Sequence, residues 1–238
     1  MKKVMKAVAA IMLMTVAVFV AGCTKSDEPN NGGNNNDGTI NGHAYVDLGL
    51  PSGTLWATCN VGATKPEGYG DYFAWGETRT KSSYDWNTYK YCEGGYDKLT
   101  KYCNNPGFGY NGFSDDLIML EPNDDAATVN WGNDWHTPTA DQCSELYDNT
   151  YVKDVTQNGV EGRLFTASNG KSIFIPNAGY KMDEETNGIG DFGGTWLNLL
   201  ETNYSSEAWY LYSSSDYYNM NTNLRYYGMT VRAVHPAQ

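Results

Sequence analysis

The residues able to do chemistry are few, and each group has a plain alternative. Glu121-Pro122-Asn123-Asp124-Asp125 gathers carboxylate and amide oxygens, the donors that a hard cation such as Ca²⁺ takes. The same run also reads as the start of a short helix within Glu121 to Val129. Asn123 would cap it, and Asp124 and Asp125 in the first turn would face the positive end of the helix dipole. That reading needs no ion, and no metal ligand is assigned. Gly188 to Gly193 matches Gly-x-Gly-x-x-Gly, but Lys181 to Asn187 ahead of it is polar and no helix pattern follows. Asp183, Glu184, Glu185 and Asp191 would repel a pyrophosphate, so the segment reads as a glycine-rich loop. His43, His136 and His235 stand singly and no Cys-x-x-Cys pair occurs, which argues against zinc. No nucleophile, base and orienting group appear as a set. The expectation is a protein that is not an enzyme and needs no cofactor.

What stands out instead is aromatic. Tyr204, Trp209, Tyr210, Tyr212, Tyr217, Tyr218, Tyr226 and Tyr227 crowd the last third, interleaved with Ser, Asn and Asp. Tyr and Trp carry flat apolar faces with a polar handle, which suits sugar rings and protein interfaces alike. Packing of a small core would use the same residues, since alternate positions of Trp209-Tyr210-Leu211-Tyr212 must point inward in a strand. Trp196, Tyr217, Tyr218 and Tyr226 are the candidate ligand-binding residues. Tyr217 and Tyr218 are placed in a loop, where core aromatics are least needed.

The elements that would position these residues are short. Ala44–Leu48 and Thr54–Thr58 read as strands around a Pro51-Ser52-Gly53 turn. Gly68 to Tyr91 reads as short strands and ordered loops packed by aromatics. Thr139 to Asp148 is the clearest helix, with Thr139 and Gln142 spaced as a capping box and Ala140, Cys143, Leu146 and Tyr147 on one face. Asn169-Gly170 between Arg163–Ala167 and Lys171–Ile175 is a hairpin signal, stopped by Pro176. Ala208–Tyr212 and Met229–Val234 read as strands, with a polar, tyrosine-rich loop over Ser213–Asn223. One clear helix among many short strands gives α+β as the expected class.

The N-terminus speaks of location. Lys2, Lys3 and Lys6 precede an apolar run from Ala7 to Val20, the pattern of a secretory leader. Val20-Ala21-Gly22-Cys23 resembles a bacterial lipobox, which would make Cys23 a lipidated N-terminus and residues 1–22 a discarded signal peptide. More than one acyl chain makes such an anchor stable. Thr24-Lys25-Ser26-Asp27-Glu28 resembles the surface-export signal of Bacteroides-type lipoproteins, so an outer-membrane lipoprotein facing the exterior is expected. Residues 23–41 are rich in Asn and Gly and read as a flexible tether. Loss of the three leader lysines takes the formal charge from −12 to −15, which argues against nucleic acid. Cys59, Cys92, Cys103 and Cys143 remain in an oxidising compartment. Disulfides are allowed there, with Cys92–Cys103 the shortest loop and the pairing otherwise open.

Several stretches carry a resemblance. Tyr45 to Ala57 (YVDLGLPSGTLWA), Asn60-Val61-Gly62-Ala63, Gly70 to Glu77 (GDYFAWGE), Trp135 with Thr137-Pro138-Thr139, Gly179-Tyr180 and Val231-Arg232 together resemble the Fibrobacter succinogenes major paralogous domain, over about residues 42–236. Related domains resemble the C-type-lectin-like fold that formylglycine-generating enzymes also use. The resemblance implies one α+β domain over 42–238, its first and last strands side by side and long loops above. Where relatives tend to show Trp-Ser-Ser, this chain has Trp196-Leu197-Asn198-Leu199. No cysteine follows Cys143, so the activity of those enzymes does not carry over. Glu121-Pro122-Asn123, with Trp131-Gly132-Asn133-Asp134, resembles the sugar-and-calcium element of mannose-type lectins, although about a hundred residues follow it here. The expected function is a lipid-anchored surface protein that binds a glycan or a partner protein through loop aromatics. The alternative is a non-catalytic assembly subunit of a surface complex.

Overall fold

The computed structural model describes residues 37–214 and 217–236. Cys23 and the leader lie outside them. The fold takes up the chain from Asp37. Asp37 makes an ion pair with Lys171 at 2.8 Å and accepts the Asp47 N–H at 2.7 Å. Part of the expected tether is therefore strand: β1 (Gly38–Ile40) pairs with β2 (His43–Asp47), and β2 with β3 (Leu55–Ala57).

A long stretch without strands follows, from Thr58 to Thr139, crossed only by isolated bridges such as Phe73–Met229 and Tyr84–Asp183. It holds a short helix, α1 (Ala126–Trp131). The cap of α1 is Asp125, which accepts the Ala127 and Thr128 N–H groups, rather than Asn123. Asn123 sits in a 3-10 turn, Pro122–Asp124. The helix α2 (Ala140–Asp148) has the capping box of Thr139 and Gln142, with both reciprocal bonds made. It buries Cys143 and Leu146.

The remainder is antiparallel. β4 (Thr150–Gln157), β5 (Val160–Ala167) and β6 (Ser172–Pro176) form one meander. Its two turns are Asn158-Gly159 and the Ser168-Asn169-Gly170 loop. β7 (Tyr180–Met182) and β8 (Glu185–Asn187) make a small hairpin in the stretch expected to lack strands. β9 (Phe192–Leu200), β10 (Glu207–Ser214) and β11 (Tyr217–Leu224) form a sheet in the order β11-β10-β9. β12 (Val234–His235) closes the first sheet beside β3.

Three expectations need correction. The class is mostly β, with 39% strand against 11% helix, in four small antiparallel sheets. The α+β expectation therefore fails: one clear helix is too little to form a layer of its own. The last strand lies beside β3, not beside the first strand. The tyrosine-rich loop over Ser213–Asn223 is largely strand, because its polar residues pair in register with β10.

The β9–β11 sheet separates two apolar clusters. Trp196 and Tyr210 enter the one with Trp75, Tyr102 and Trp135, and Leu197 and Leu211 enter the one with Trp56, Leu146 and Phe165. Alternation along each strand sends neighbours to opposite cores.

Candidate functional site: a string of half-exposed aromatic rings

Strand register decides where the tyrosines point. Tyr217 pairs with Ser214, Asn219 with Tyr212, and Ser214 with Phe192. Residues directly opposite share a face and successive residues alternate. Tyr217, Tyr212 and Phe192 therefore share one face of the sheet, and Tyr218 belongs to the other. Tyr217 is 53% and Tyr218 40% exposed, so both reach solvent, but not as one platform. Tyr218 lies against Tyr147 at 4.8 Å between ring centroids, with the Arg163 guanidinium 5.5 Å from its own centroid.

The face of Tyr217 carries a longer feature. Trp86, Tyr226, Tyr227, Tyr180, Phe192, Tyr212 and Tyr217 follow one another ring to ring, at centroid distances of 5.0, 4.7, 5.0, 5.5, 5.5 and 6.2 Å. Tyr217 is exposed and the other six are half-buried. Each ring thus packs on its neighbour in a residue that still keeps part of its surface in water. Five separate segments supply the rings: the loop before Tyr89, the turn after β11, β7, the start of β9, and the β10–β11 pair. Backbone shape makes room for them. Gly188 has φ +70, and a Cβ there would come within 2.3 Å of the Phe192 ring.

The other candidates sit elsewhere. Trp196 is 1% exposed, and its Nε1 donates to the Phe73 carbonyl at 2.8 Å, so it is a core residue that no ligand reaches. Tyr226 is part of the string, and burial pushes its hydroxyl pKa up. Cys23 is outside the described residues. Trp86, Tyr180 and Phe192 are not among the binding residues expected from sequence. Tyr180 and Phe192 are lone rings in polar or glycine-rich runs, Trp86 is one ring among several between Tyr84 and Tyr91, and only the tertiary arrangement brings them together.

A separate cleft of about 330 Å³ is lined by Asp71, Tyr72, Thr80, Lys81, Tyr84 and Lys181 and by no ring of the string. The Lys181 ammonium lies 5.5 Å from the Tyr72 ring centroid and 6.0 Å from that of Tyr84.

The oxygen-rich run is occupied by protein partners. Asp124 is buried and accepts from the Tyr91 hydroxyl, from the Tyr102 hydroxyl at 2.9 Å, from Lys101 Nζ at 2.6 Å and from Lys90 Nζ at 3.2 Å. Burial alone would raise its pKa, but these donors, Lys101 foremost, hold it down at about 2. Lys101 also binds Glu121. Asp125 is spent on α1 and on Thr137. Two ammonium groups already neutralise the carboxylates that calcium would use, and among the described residues no cluster of His, Cys, Asp or Glu is arranged to hold a metal ion.

The groups able to do covalent chemistry are buried or half-buried. Cys59, Cys92, Cys103 and Cys143 are all free thiols, so the Cys92–Cys103 bridge is not formed. Cys92 donates to the Trp86 carbonyl at 2.9 Å and Cys103 to the Asn105 carbonyl at 3.1 Å. Burial pushes the Cys143 thiol pKa up and the His136 pKa down. His136 Nε2 is 3.3 Å from Gln142 Oε1 in the α2 capping box. Among the described residues no helix is long and apolar enough to cross a membrane. No family model, curated protein or solved structure matches this chain.

Proposed function

We propose that this chain is a non-catalytic binding protein, lipid-anchored through Cys23 at the outer cell surface, that holds a glycan chain along the aromatic string. The observation that carries the proposal is the string itself, seven rings in successive contact, none of them in a fully buried residue. Aromatic side chains held by their neighbours lose little freedom on binding, and their faces and hydroxyls match the apolar and polar sides of a sugar ring. Cys103 and Cys143 are buried, and the half-buried Cys59, Cys92 and His136 are each hydrogen-bonded within the fold, which favours binding over catalysis. The reading keeps the chain among the Fibrobacter succinogenes major paralogous domains on the stretches quoted above.

A glycan-array screen of the full chain, purified in detergent, tests it. Reproducible hits are expected, with affinity falling at least tenfold in Tyr180→Ala and Phe192→Ala variants that remain folded. Hits that survive both substitutions would remove the string as the site. A silent array with folded protein would move the assignment to the assembly role.

A further inference from the structure

Strand β11 pairs with β10 on one side only, so its other side is a free edge. An open edge is a template for another strand. Here the N–H half of that template is closed by side chains. The Met220 N–H donates to Asn219 Oδ1, that of Thr222 to Asn221 Oδ1 and that of Leu224 to Asn223 Oδ1, each at 2.8 Å. These bonds fix the amides, because each Oδ1 must face its N–H and each Nδ2 then turns away. Asn219 Nδ2 donates to the Tyr217 hydroxyl at 2.6 Å. The Nδ2 groups of Asn221 and Asn223 have no protein acceptor among the described residues. All three asparagines alternate in phase with Tyr217 and share its face. The row begins beside Tyr217 at one end of the string and runs toward Tyr226 near the other.

We propose that this asparagine row is the hydrogen-bonding flank of the string, and that its ligand is a neutral, polyhydroxylated sugar chain. The proposal rests on the glycan reading above and narrows it. A polypeptide strand added to the edge needs free N–H groups, and three of them are taken. Neutral amide donors bond sugar hydroxyls with no buried charge to desolvate. Asp183, Glu184, Glu185 and Asp191 are exposed between Tyr180 and Phe192, and they repel an anionic glycan. Strand geometry sets successive asparagines about 6.8 Å apart, a regular presentation that suits a repeating polymer.

The test uses the full chain in detergent against three probes: neutral oligosaccharides, uronate-containing oligosaccharides, and an extended peptide library. The variant is Asn219→Asp/Asn221→Asp/Asn223→Asp. A carboxylate still accepts the following N–H, so the edge stays capped, while the outward donors are lost. Neutral sugars are expected to bind at least tenfold more tightly than uronates, and the triple variant to lose at least tenfold of that affinity while staying monomeric. If the triple variant does not fold, Asn221→Asp alone is expected to lose about threefold. Asn→Ala at the same three positions uncaps the edge and should self-associate in sedimentation. Neutral-sugar binding that depends on Tyr180 and Phe192 but is unchanged in the Asp variants would overturn this proposal and leave the glycan reading standing. So would a preference for uronates. A wild-type chain that binds peptide and no sugar would overturn both.

Discussion

Tyrosines meet two different fates in this molecule. Tyr72, Tyr84, Tyr89, Tyr91 and Tyr102 of the strandless stretch are buried, and each spends its hydroxyl inside the fold. Tyr72 donates to the Ala178 carbonyl at 2.6 Å, Tyr84 to the Tyr72 carbonyl at 2.6 Å and Tyr89 to the Trp75 carbonyl at 2.8 Å, while Tyr91 and Tyr102 donate to Asp124. Those of the string are half-exposed and contact one another through their rings. Among the described residues, the Tyr180 and Tyr212 hydroxyls bond to no backbone carbonyl. In the first group the tyrosines act as hydrogen-bonding struts, substituting for the strand ladders that this stretch lacks. In the second they form a surface. The same residue type thus builds the support and the proposed site, and the hydroxyl's partner tells the two apart.

The support can be broken at Arg225. It is fully buried and donates to the Tyr89 hydroxyl and to the carbonyls of Tyr102, Ser205 and Lys101, with the Trp75 ring 5.0 Å from its Cζ. Arg225→Met keeps much of the volume but strands those acceptors in the core. The expected loss is about 4 kcal/mol of folding stability, read from the urea midpoint. A change below about 1 kcal/mol would show that the loops do not hang on this side chain.

Asp124 comes next. Asp124→Asn leaves Lys101 and Lys90 without their buried partner and is expected to cost about 3 kcal/mol. Its pKa is depressed, from 3.8 to about 2. Its contribution is therefore whole above about pH 4–5 and is lost as pH falls toward 2. Stability measured over that window should fall less steeply in the variant. Parallel curves would mean that another carboxylate governs acid unfolding. The string is predicted to keep its binding in this variant at neutral pH wherever the protein remains folded, because none of its rings touches Asp124.

How far the sequence carries this comparison depends on the range of the interactions. Thr139 and Gln142 are three residues apart, so the α2 cap is legible. So is the β5–β6 hairpin, where Asn169-Gly170 turns one alternating run into the next and Thr166 pairs with Ser172. Arg225 and Tyr102 are 123 positions apart, and no local window joins them. The same holds for Asp124 with Tyr91 and for Tyr180 with Tyr227. β11 is hidden for another reason. Tyr217-Tyr218-Asn219-Met220-Asn221 has a loop-like composition, since asparagine disfavours strands. Pairing with β10 and the asparagine caps override that preference. The fold class was misjudged because one well-signalled helix outweighed strands whose individual signals are weak.

The smallest effect is the sharpest. Tyr217 and Tyr218 are adjacent, similarly exposed and identical in type, and composition treats them as one platform. Register places them on opposite faces of β11. Tyr217 continues the string through Tyr212, whereas Tyr218 covers Tyr147 and Arg163 on the far side. Tyr217→Ala should change stability by less than about 1 kcal/mol, since most of the ring is already in water, and weaken glycan binding about five- to tenfold. Tyr218→Ala should leave binding within twofold and act on stability alone, by uncovering the Tyr147 ring. Calorimetric titration with a thermal melt on each variant separates the two. Equal losses of affinity would mean that the ligand wraps the β11 edge and touches both faces, and the site would then be the edge rather than the string. A loss confined to Tyr218→Ala would move the site to the Tyr147–Arg163 side. Exposure alone predicts none of these differences, because only the two-residue period of the strand distinguishes one tyrosine from the next.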